Sequence, residues 1–225
     1  MSEFRSSLKF LGSAVAVAVL LAGCGGSESH REGESRPAVS KPYLKNMSRS
    51  LGEFYKIDNP PHVKVVRAVL PEEVDDVVQA CVAEQGFPLS ADGVVKVPEG
   101  QDVAYNLAGY TCRMRYPIIE RYAQPLKTKQ IGIQYDWTVT FLIPCLERQG
   151  HAISDVPTKA RFIDTWNSDP FYPLAQVELD QTNAAEYNEA MSELEKSCPQ
   201  MAPAAVTWDG LSVAAWMKSH GQSGV

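Results

Sequence analysis

The sequence predicts an α+β fold that is predominantly helical, with two disulfide-stapled halves and a small β-sheet or hairpin in the first half. Three observations lead to this expectation. Apolar residues recur at three- and four-residue spacing along most of the chain after residue 70, which is typical of amphipathic helices. A β-branched segment over residues 62–70 and an Asp92-Gly93 pair indicate extended structure on either side of the first such helix. Four cysteines occur in two similar sequence contexts.

The overall composition is that of an ordinary globular protein. The chain has 225 residues, of which 44% are hydrophobic and 21% are charged. This balance excludes wholesale disorder and a polytopic membrane protein. The formal net charge is −6, so a basic nucleic-acid-binding domain is disfavoured and we expect no nucleic-acid partner.

The amino terminus has the pattern of an export signal. Arg5 and Lys9 precede an uncharged run over residues 10–22, which is shorter than the roughly 20 apolar residues that a membrane-spanning helix needs. We therefore predict a signal peptide over residues 1–23. The sequence Leu-Ala-Gly-Cys ending at Cys24 resembles the lipobox of bacterial lipoproteins, which implies lipid attachment at Cys24. A plain secretory signal that contains a cysteine is the alternative.

The residues after Cys24 are rich in Gly, Ser, Glu and Arg and too polar to bury a core. We predict a flexible tether over residues 24–42 and a single globular domain over residues 43–225. The expected location is extracytoplasmic, with the chain anchored to the cell membrane by lipid. The membrane is therefore one expected partner, through the lipid anchor.

The other four cysteines are expected to pair, because exported proteins form disulfides in oxidising compartments. Three pairings are possible. Cys81 and Cys145 are both followed by three residues and then Gln-Gly, as at the end of a helix capped by glycine, and Cys112 and Cys198 each follow a second helical pattern. This internal repeat, over about 60–117 and 128–200, favours the pairs Cys81–Cys112 and Cys145–Cys198. Crossed pairing remains the alternative.

In the first half, the β-branched residues 62–70 predict a strand. Pro71 and four acidic residues after it indicate a helix start, and the helix is expected to end at Gln85. Short apolar runs over 87–90 and 94–97 predict a hairpin. A further helix is expected over 102–115, before Pro117.

In the second half, the spacing predicts a long helix over residues 128–149, which Pro144 must kink or split. A short helix is expected over 158–166. Asn183, followed three residues later by Glu186, predicts the capped start of another helix. A last amphipathic helix is expected over about 208–219.

Several of these segments together resemble a known group. They include Pro144-Cys145-Leu146-Glu147, Phe162-Ile163-Asp164-Thr165-Trp166 and Tyr172-Pro173, with Cys112 and Tyr116-Pro117 upstream. They are similar to a group of uncharacterised exported lipoproteins of actinobacteria, over roughly residues 60–200. The resemblance implies an anchor in the outer leaflet of a single membrane, beneath the cell wall, and it implies no particular activity.

The sequence contains no motif typical of a catalytic or metal site. It has no Gly-x-Ser-x-Gly elbow, no glycine-rich phosphate loop and no His-Glu-x-x-His. It also has no Cys-x2-Cys pair, and no histidine stands beside a cysteine. We therefore predict no catalytic residues, no metal and no cofactor. Because the carboxylate pair of a glycosidase is defined only in space, a cell-envelope hydrolase that uses such a pair remains the alternative function.

One basic segment stands out in this acidic chain, since residues 113–129 carry a net charge of +4 and are interleaved with tyrosines. Guanidinium groups and phenol rings suit an anionic polymer. The alternative is a solvated basic face beside core tyrosines. With the aromatic loop that follows residue 165, the candidate binding residues are Arg113, Arg115, Tyr116, Arg121, Lys127, Lys129, Trp166 and Tyr172. The leading hypothesis is a non-catalytic envelope protein that binds a cell-wall polymer or a partner protein.

Overall fold

The computed structural model describes residues 38–90, 93–180 and 182–222, and over these residues the chain is helical. The predicted signal peptide, Cys24 and the predicted tether up to residue 37 lie outside the described residues. Short 3₁₀ turns connect some of the helices. In chain order the helices are α1 (Lys41–Phe54), α2 (Val74–Glu84), α3 (Asp102–Arg115), α4 (Thr128–Trp137), α5 (Ile143–Arg148), α6 (Lys159–Thr165), α7 (Ala184–Ser197), α8 (Ala204–Thr207) and α9 (Val213–Ser219).

Helix α1 was not expected, and its first two residues lie in the segment that we predicted as tether. Ser40 caps it, because the Ser40 hydroxyl accepts a hydrogen bond from the Tyr43 N–H at 3.3 Å. The Ser40 N–H in turn donates to the Glu120 carboxylate at 2.7 Å, a contact across 80 residues. The apolar content of α1 is low, but Leu44, Met47 and Leu51 recur at helical spacing, so the sequence did carry a helical signal here. A distant carboxylate therefore helps to fix the start of this helix.

The strand predicted over residues 62–70 does not form. The segment is extended, but a single parallel bridge between Val69 and Ile118 is its whole ladder. The Val69 N–H donates to the Pro117 carbonyl at 2.9 Å, and the Ile119 N–H donates back to the Val69 carbonyl at 2.9 Å. Pro117 has no N–H to add to this ladder, and Pro71 ends the extended segment. Beyond this bridge, one more backbone hydrogen bond joins the two segments, from the Val66 N–H to the Arg115 carbonyl at 2.8 Å, and no ladder forms.

The hairpin predicted over residues 87–97 is also reduced to one antiparallel bridge, between Leu89 and Val95. Phe87 is buried and Val95 and Val97 pack against the first-half core, whereas Leu89 and Val94 are exposed. An isolated two-stranded hairpin is only marginally stable, so the pairing stays short. The predicted turn residue Asp92 lies outside the described residues. Because the described part of the chain contains no strand, sheet or hairpin, the α+β prediction is wrong and this part of the fold is all-helical.

The predicted long helix is continuous from Thr128 to Arg148 but changes its winding in the middle. The five residues Thr138–Leu142 form a π-helical turn between α4 and α5. Pro144 cannot donate the N–H that the Thr140 carbonyl would accept in an α-helix. The wider π turn lies over that carbonyl, which explains how the helix passes the proline without ending.

The predicted disulfide pairing is confirmed. Cys81 bonds to Cys112 and joins α2 to α3, and Cys145 bonds to Cys198 and joins α5 to the end of α7. The Cα atoms are 5.7 Å apart in both pairs. All four cysteines are buried. Such disulfides are typical of proteins from oxidising, extracytoplasmic compartments.

Each disulfide lies inside its own hydrophobic cluster. The first-half cluster consists of Val69, Val74, Val78, Cys81, Val82, Phe87, Ala108 and Cys112. The second-half cluster consists of Trp137, Phe141, Leu142, Cys145, Leu146, Leu174, Leu194, Cys198, Ala202, Val206 and Met217. The second cluster is therefore larger and contains more aromatic surface than the first.

Among the described residues, polar contacts that join the first part of the domain to its last part include two hydrogen bonds. The Glu72 carboxylate accepts a hydrogen bond from the Ala204 N–H at 3.3 Å, at the start of α8. The Tyr122 hydroxyl donates to the Asp209 carboxylate at 2.6 Å. None of the described helices is both long and apolar enough to span a bilayer.

Candidate functional site

A depression with a partly apolar lining runs between the end of α1, helix α2, helix α3 and the loop that follows α2. Two neighbouring cavities form it, with volumes of about 470 and 710 Å³. Both are lined by Tyr55, Tyr105 and Arg113, so they form one continuous surface. We call this surface the α1–α3 groove. It is a candidate binding site because most ligand sites are concave, apolar and crossed by a few polar groups.

A missing side chain explains how Tyr55 reaches the groove. Gly109 of α3 is buried, and a Cβ atom on it would lie 2.6 Å from the Tyr55 Cε1 atom. The phenol ring therefore lies directly on the backbone of α3. Tyr55 also packs edge-on against Phe54, with ring centroids 4.9 Å apart. Gly109 is thus the residue that lets the end of α1 form one wall.

The floor of the groove is the first-half core. The buried Phe87 ring contacts Tyr105 edge to face, with centroids 5.4 Å apart. Val78 and Val82 of α2 complete the apolar floor. The Cys81–Cys112 disulfide holds α2 against α3 beneath it. A covalent bond therefore fixes the distance between two walls of the site.

Arg113 lines both cavities beside Tyr55 and Tyr105. It also forms an ion pair. Its guanidinium lies 3.2 Å from the Asp75 carboxylate. The Asp75 side chain is 86% exposed, so the pair is well solvated and contributes little to stability, about 0–1 kcal/mol. An acidic group on a ligand can therefore replace Asp75 at low cost.

Exposed apolar side chains form the rim of the groove. Phe54 is 75% exposed, Val94 is 51% exposed and Leu89 is 40% exposed. All three line one of the two cavities. Large apolar side chains exposed beside a groove are typical of interaction surfaces, whereas single scattered ones are not informative.

Among the described residues, the groove lining contains no pair of carboxylates. Asp75 is the acidic residue that lines the first cavity, and no acidic residue lines the second. Across the described residues, no group of three or more His, Cys, Asp or Glu side chains has the geometry to hold a metal ion. The described lining offers apolar side chains, aromatic rings, the Arg113 guanidinium and the Lys56 amine.

The structure does not bring the predicted basic residues into one patch. Arg115 is not part of the groove lining, and its guanidinium lies 3.8 Å from the Cys81 Sγ atom and 5.7 Å from the Tyr116 ring centroid. Arg121 stacks on Tyr122 and pairs with Asp209 at 3.5 Å. Arg113 and Arg121 thus have different acidic partners, Asp75 and Asp209, in different parts of the fold.

The other predicted residues lie away from the groove lining. Lys127 and Lys129 are exposed at the start of α4. Trp166 follows α6 and packs on the buried Phe162, with centroids 5.4 Å apart. Tyr172 is exposed ahead of a 3₁₀ turn. Of the eight predicted binding residues, Arg113 is the one that lines the groove.

Three shifted pKa values are found outside the groove. Burial raises the pKa of Tyr122, and its hydrogen bond to Asp209 raises it further. Burial and then the charge of Glu120 raise the pKa of Tyr43. The Thr182 N–H, which donates to Asp180 at 2.9 Å, lowers the pKa of that carboxyl. Each of these pKa shifts is explained by burial, a nearby charge or a hydrogen bond at its own position.

Sequence reasoning missed Tyr55, Tyr105 and Gly109. Tyr105 was part of a predicted helix but was not assigned to a site, and Tyr55 follows a helix that was not expected. A local signal for Gly109 does exist, since a glycine inside a helix usually marks close packing. No such signal identifies what packs on it.

Comparison with known protein families, with curated proteins and with solved structures finds no match for this chain.

Proposed function

We propose that this chain is a lipid-anchored, extracytoplasmic, non-catalytic protein that binds a partner protein of the cell envelope through the α1–α3 groove. The observation that carries this proposal is the open apolar groove, with Phe54 on its rim and Arg113 at its centre. Aromatic residues and arginine are enriched where protein interfaces are buried. Covering a side chain such as Phe54 contributes about 1.5–3 kcal/mol.

A protein partner suits the groove better than an anionic wall polymer. A polymer with repeated negative charges is expected to need several cations along one surface. Arg113 lines the groove with Lys56, whereas Arg115 and Arg121 contact other groups. One apolar groove with a replaceable ion pair instead suits a segment that carries apolar side chains and one carboxylate.

Two observations support the proposed extracytoplasmic location. The lipobox-like residues before Cys24 support export and acylation of that cysteine. The two disulfides are the expected consequence of an oxidising compartment. A rigid, stapled domain on a membrane anchor suits a binding protein that holds its partner near the membrane surface.

Site-specific photo-crosslinking in the native cell tests the groove. A photoreactive residue at Leu89 is expected to capture a discrete protein, and the same residue at Val156 is expected to capture none. The two positions are 40% and 41% exposed, so solvent access is matched. The Phe54→Ser variant should weaken the capture at least about tenfold, as expected for losing 1.5–3 kcal/mol of apolar contact. Equal capture at Leu89 and Val156 would contradict the proposal.

A separate measurement tests the anchor. The intact mass of the native protein is expected to show cleavage before Cys24 and a lipid on the new first residue. The Cys24→Ala variant is expected to leave the membrane fraction or to retain residues 1–23. A native protein that keeps its initiator methionine and has no lipid would remove the anchor from this proposal.

A further inference from the structure

Helix α1 carries a row of cations on its exposed side. Lys41, Lys45 and Arg49 are spaced by four residues, and all three are exposed. This spacing brings side chains to one side of a helix. Leu44 and Met47, which are half-buried, lie on the side that faces the domain. We call the three cations the α1 basic stripe.

The stripe continues into an open cleft of about 670 Å³. Lys45 and Arg49 line this cleft together with Lys56, and Glu53 and Asp58 line it as well. Within the described residues, none of the four cations over 41–58 forms an ion pair. Residues 41–58 contain four cations and two carboxylates, a net charge of +2 in a chain of net charge −6. This segment is therefore a second basic surface on an acidic protein, in addition to residues 113–129.

Lys56 occupies a backbone position that favours glycine. Its φ is 55°, in the left-handed region, directly after the end of α1. The Ile57 N–H donates to the Gly52 carbonyl at 2.8 Å and closes the turn. Glycine is the usual residue at this point of such a turn because it has no Cβ. The Lys56 side chain lines the cleft. We therefore expect its charge to have a functional role at this position.

We infer that the α1 basic stripe and Lys56 dock on the anionic phospholipid headgroups of the membrane that holds the lipid anchor. This inference rests on the lipid anchor of the proposed function. Lys41 follows Cys24 by 17 positions, so α1 starts within at most about 60 Å of the anchor along the chain. Charge complementarity with an anionic surface then orients the domain.

The docking also assigns a role to α1 as a whole. Its exposed cations contact the headgroups, while Phe54 at its end lines the α1–α3 groove. One rigid helix thus relates the membrane surface to the binding groove. An acyl anchor alone leaves the domain free to rotate, whereas an anchor combined with a basic surface gives two points of attachment.

Chemical labelling of the lipid-modified full chain on vesicles tests this inference. The protein is reconstituted in neutral phosphatidylcholine vesicles or in anionic phosphatidylglycerol vesicles, pulsed with an amine-acylating reagent and analysed by mass spectrometry. Lys45 and Lys56 are expected to react at least about fivefold more slowly on anionic vesicles. This factor corresponds to the attraction of roughly one lysine or arginine to an anionic membrane surface. Raising the salt from about 0.1 M to about 1 M should remove the difference, because the screening length falls to about 3 Å.

Three variants separate the charge from the fold. The double variant Lys45→Glu and Arg49→Glu should make Lys56 react equally on both vesicles. Lys56→Gly removes a charge from a position that glycine favours, so it should reduce the protection of Lys45 without lowering the unfolding temperature. The matched control, Lys127→Glu with Lys129→Glu, changes two exposed lysines elsewhere and should leave the protection of Lys45 intact.

The possible outcomes separate the docking from the anchor. A chain that floats with both vesicles but is labelled equally on them overturns the docking alone. A chain that floats with neither vesicle removes the anchor and the docking together. Protection of Lys127 and Lys129 in place of Lys45 and Lys56 overturns the assigned face. Stronger protection by soluble polyphosphate than by anionic vesicles overturns the lipid as occupant.

Discussion

The two stapled halves end their first cysteine-bearing helices in the same way. In each, the glutamine N–H four residues after the cysteine donates to the cysteine carbonyl at 3.2 Å. The following glycines, Gly86 and Gly150, have φ values of 96° and 91°. The N–H after each glycine donates back to the residue that follows the cysteine, at 3.2 and 3.0 Å. The sequence repeat thus corresponds to a repeated capping structure.

The halves differ in what covers their cores. In the second half, Trp216 of α9 packs on Trp137 and Phe141, with ring centroids 4.8 and 5.2 Å apart. Trp137 and Phe141 are fully buried as a result. In the first half, Tyr55 and Phe87 border the open α1–α3 groove. The comparison teaches that the disulfides hold each scaffold, while a covering helix decides whether an apolar surface is free to bind.

Both halves contain buried polar contacts. In the first half, the fully buried Tyr110 donates its hydroxyl to the Pro61 carbonyl at 3.0 Å. The fully buried Gln134 donates to the Gln200 carbonyl at 2.9 Å and accepts from the Ala202 N–H at 2.9 Å. The Trp137 indole donates to the Pro199 carbonyl at 3.0 Å. These contacts fix the loop between α7 and α8 over the second core. At the groove, the corresponding polar contact is the solvated Arg113–Asp75 pair.

Removal of either disulfide should have the largest effect. Replacing Cys81 and Cys112 by alanine, or Cys145 and Cys198, should each lower the free energy of unfolding by about 4 kcal/mol, since the bonds close loops of 31 and 53 residues. Urea unfolding at equilibrium measures both. A loss confined to one pair would break the equivalence of the two halves.

Truncation of an aromatic residue should distinguish the covered core from the open groove. Trp216→Ala should cost about 3 kcal/mol, because it uncovers Trp137 and Phe141. Phe54→Ala should change stability by no more than about 0.5 kcal/mol, because Phe54 is exposed. Thermal and urea unfolding of the two variants provide the measurement. Similar losses would show that the groove is part of a closed core.

The same glycine substitution should have opposite signs in the two halves. Gly109→Ala places a Cβ against the Tyr55 ring and should cost about 1–3 kcal/mol. For Gly132→Ala the nearest atom is the flexible end of Lys159 at 3.4 Å, so better helix propensity should stabilise by up to about 1 kcal/mol. Urea unfolding measures both. A neutral Gly109→Ala would contradict the close contact with Tyr55.

The contact between the halves should produce a small dependence of stability on alkaline pH. The folded-state pKa of Tyr122 is raised above its ordinary value of 10.0, so the folded protein holds this proton more tightly than the unfolded chain. The resulting stability is complete below pH 10 and is lost as the pH rises through the raised pKa. Tyr122→Phe should flatten this loss, as measured by unfolding at several pH values above 10. An unchanged slope would assign it to Tyr43 or to other groups.

Local signals predicted several elements well. Asn183 caps α7 as expected, with its side chain accepting from the Ala185 N–H at 3.0 Å. Helix α3 has the predicted bounds, and the predicted helix over 158–166 corresponds to α6. The cysteine pairing was predicted from the repeat in which Cys81 and Cys145 are each followed by three residues and Gln-Gly. Each of these signals depends on residues within a few positions of one another, where the sequence specifies the geometry directly.

The candidate site was predicted only in part, because its contacts join distant positions. Arg113 was expected to bind, but the structure pairs it with Asp75, 38 residues away. The basic residues that are adjacent in sequence point to different partners once α3 ends and the chain turns. Gly109 and Tyr55 are 54 positions apart, and their contact is visible only in the folded chain.

The sequence by itself indicated the capping of several helices and the cysteine repeat that favours the observed pairing. Only the tertiary structure decided that residues 62–70 lack a partner strand, that α9 covers one core and that the α1–α3 groove stays open beside the other. The physical reason is the distance along the chain between the residues that interact. Caps and turns depend on neighbours along the chain, whereas ladders, core coverage and grooves depend on which distant segments meet and on the apolar area that they bury together.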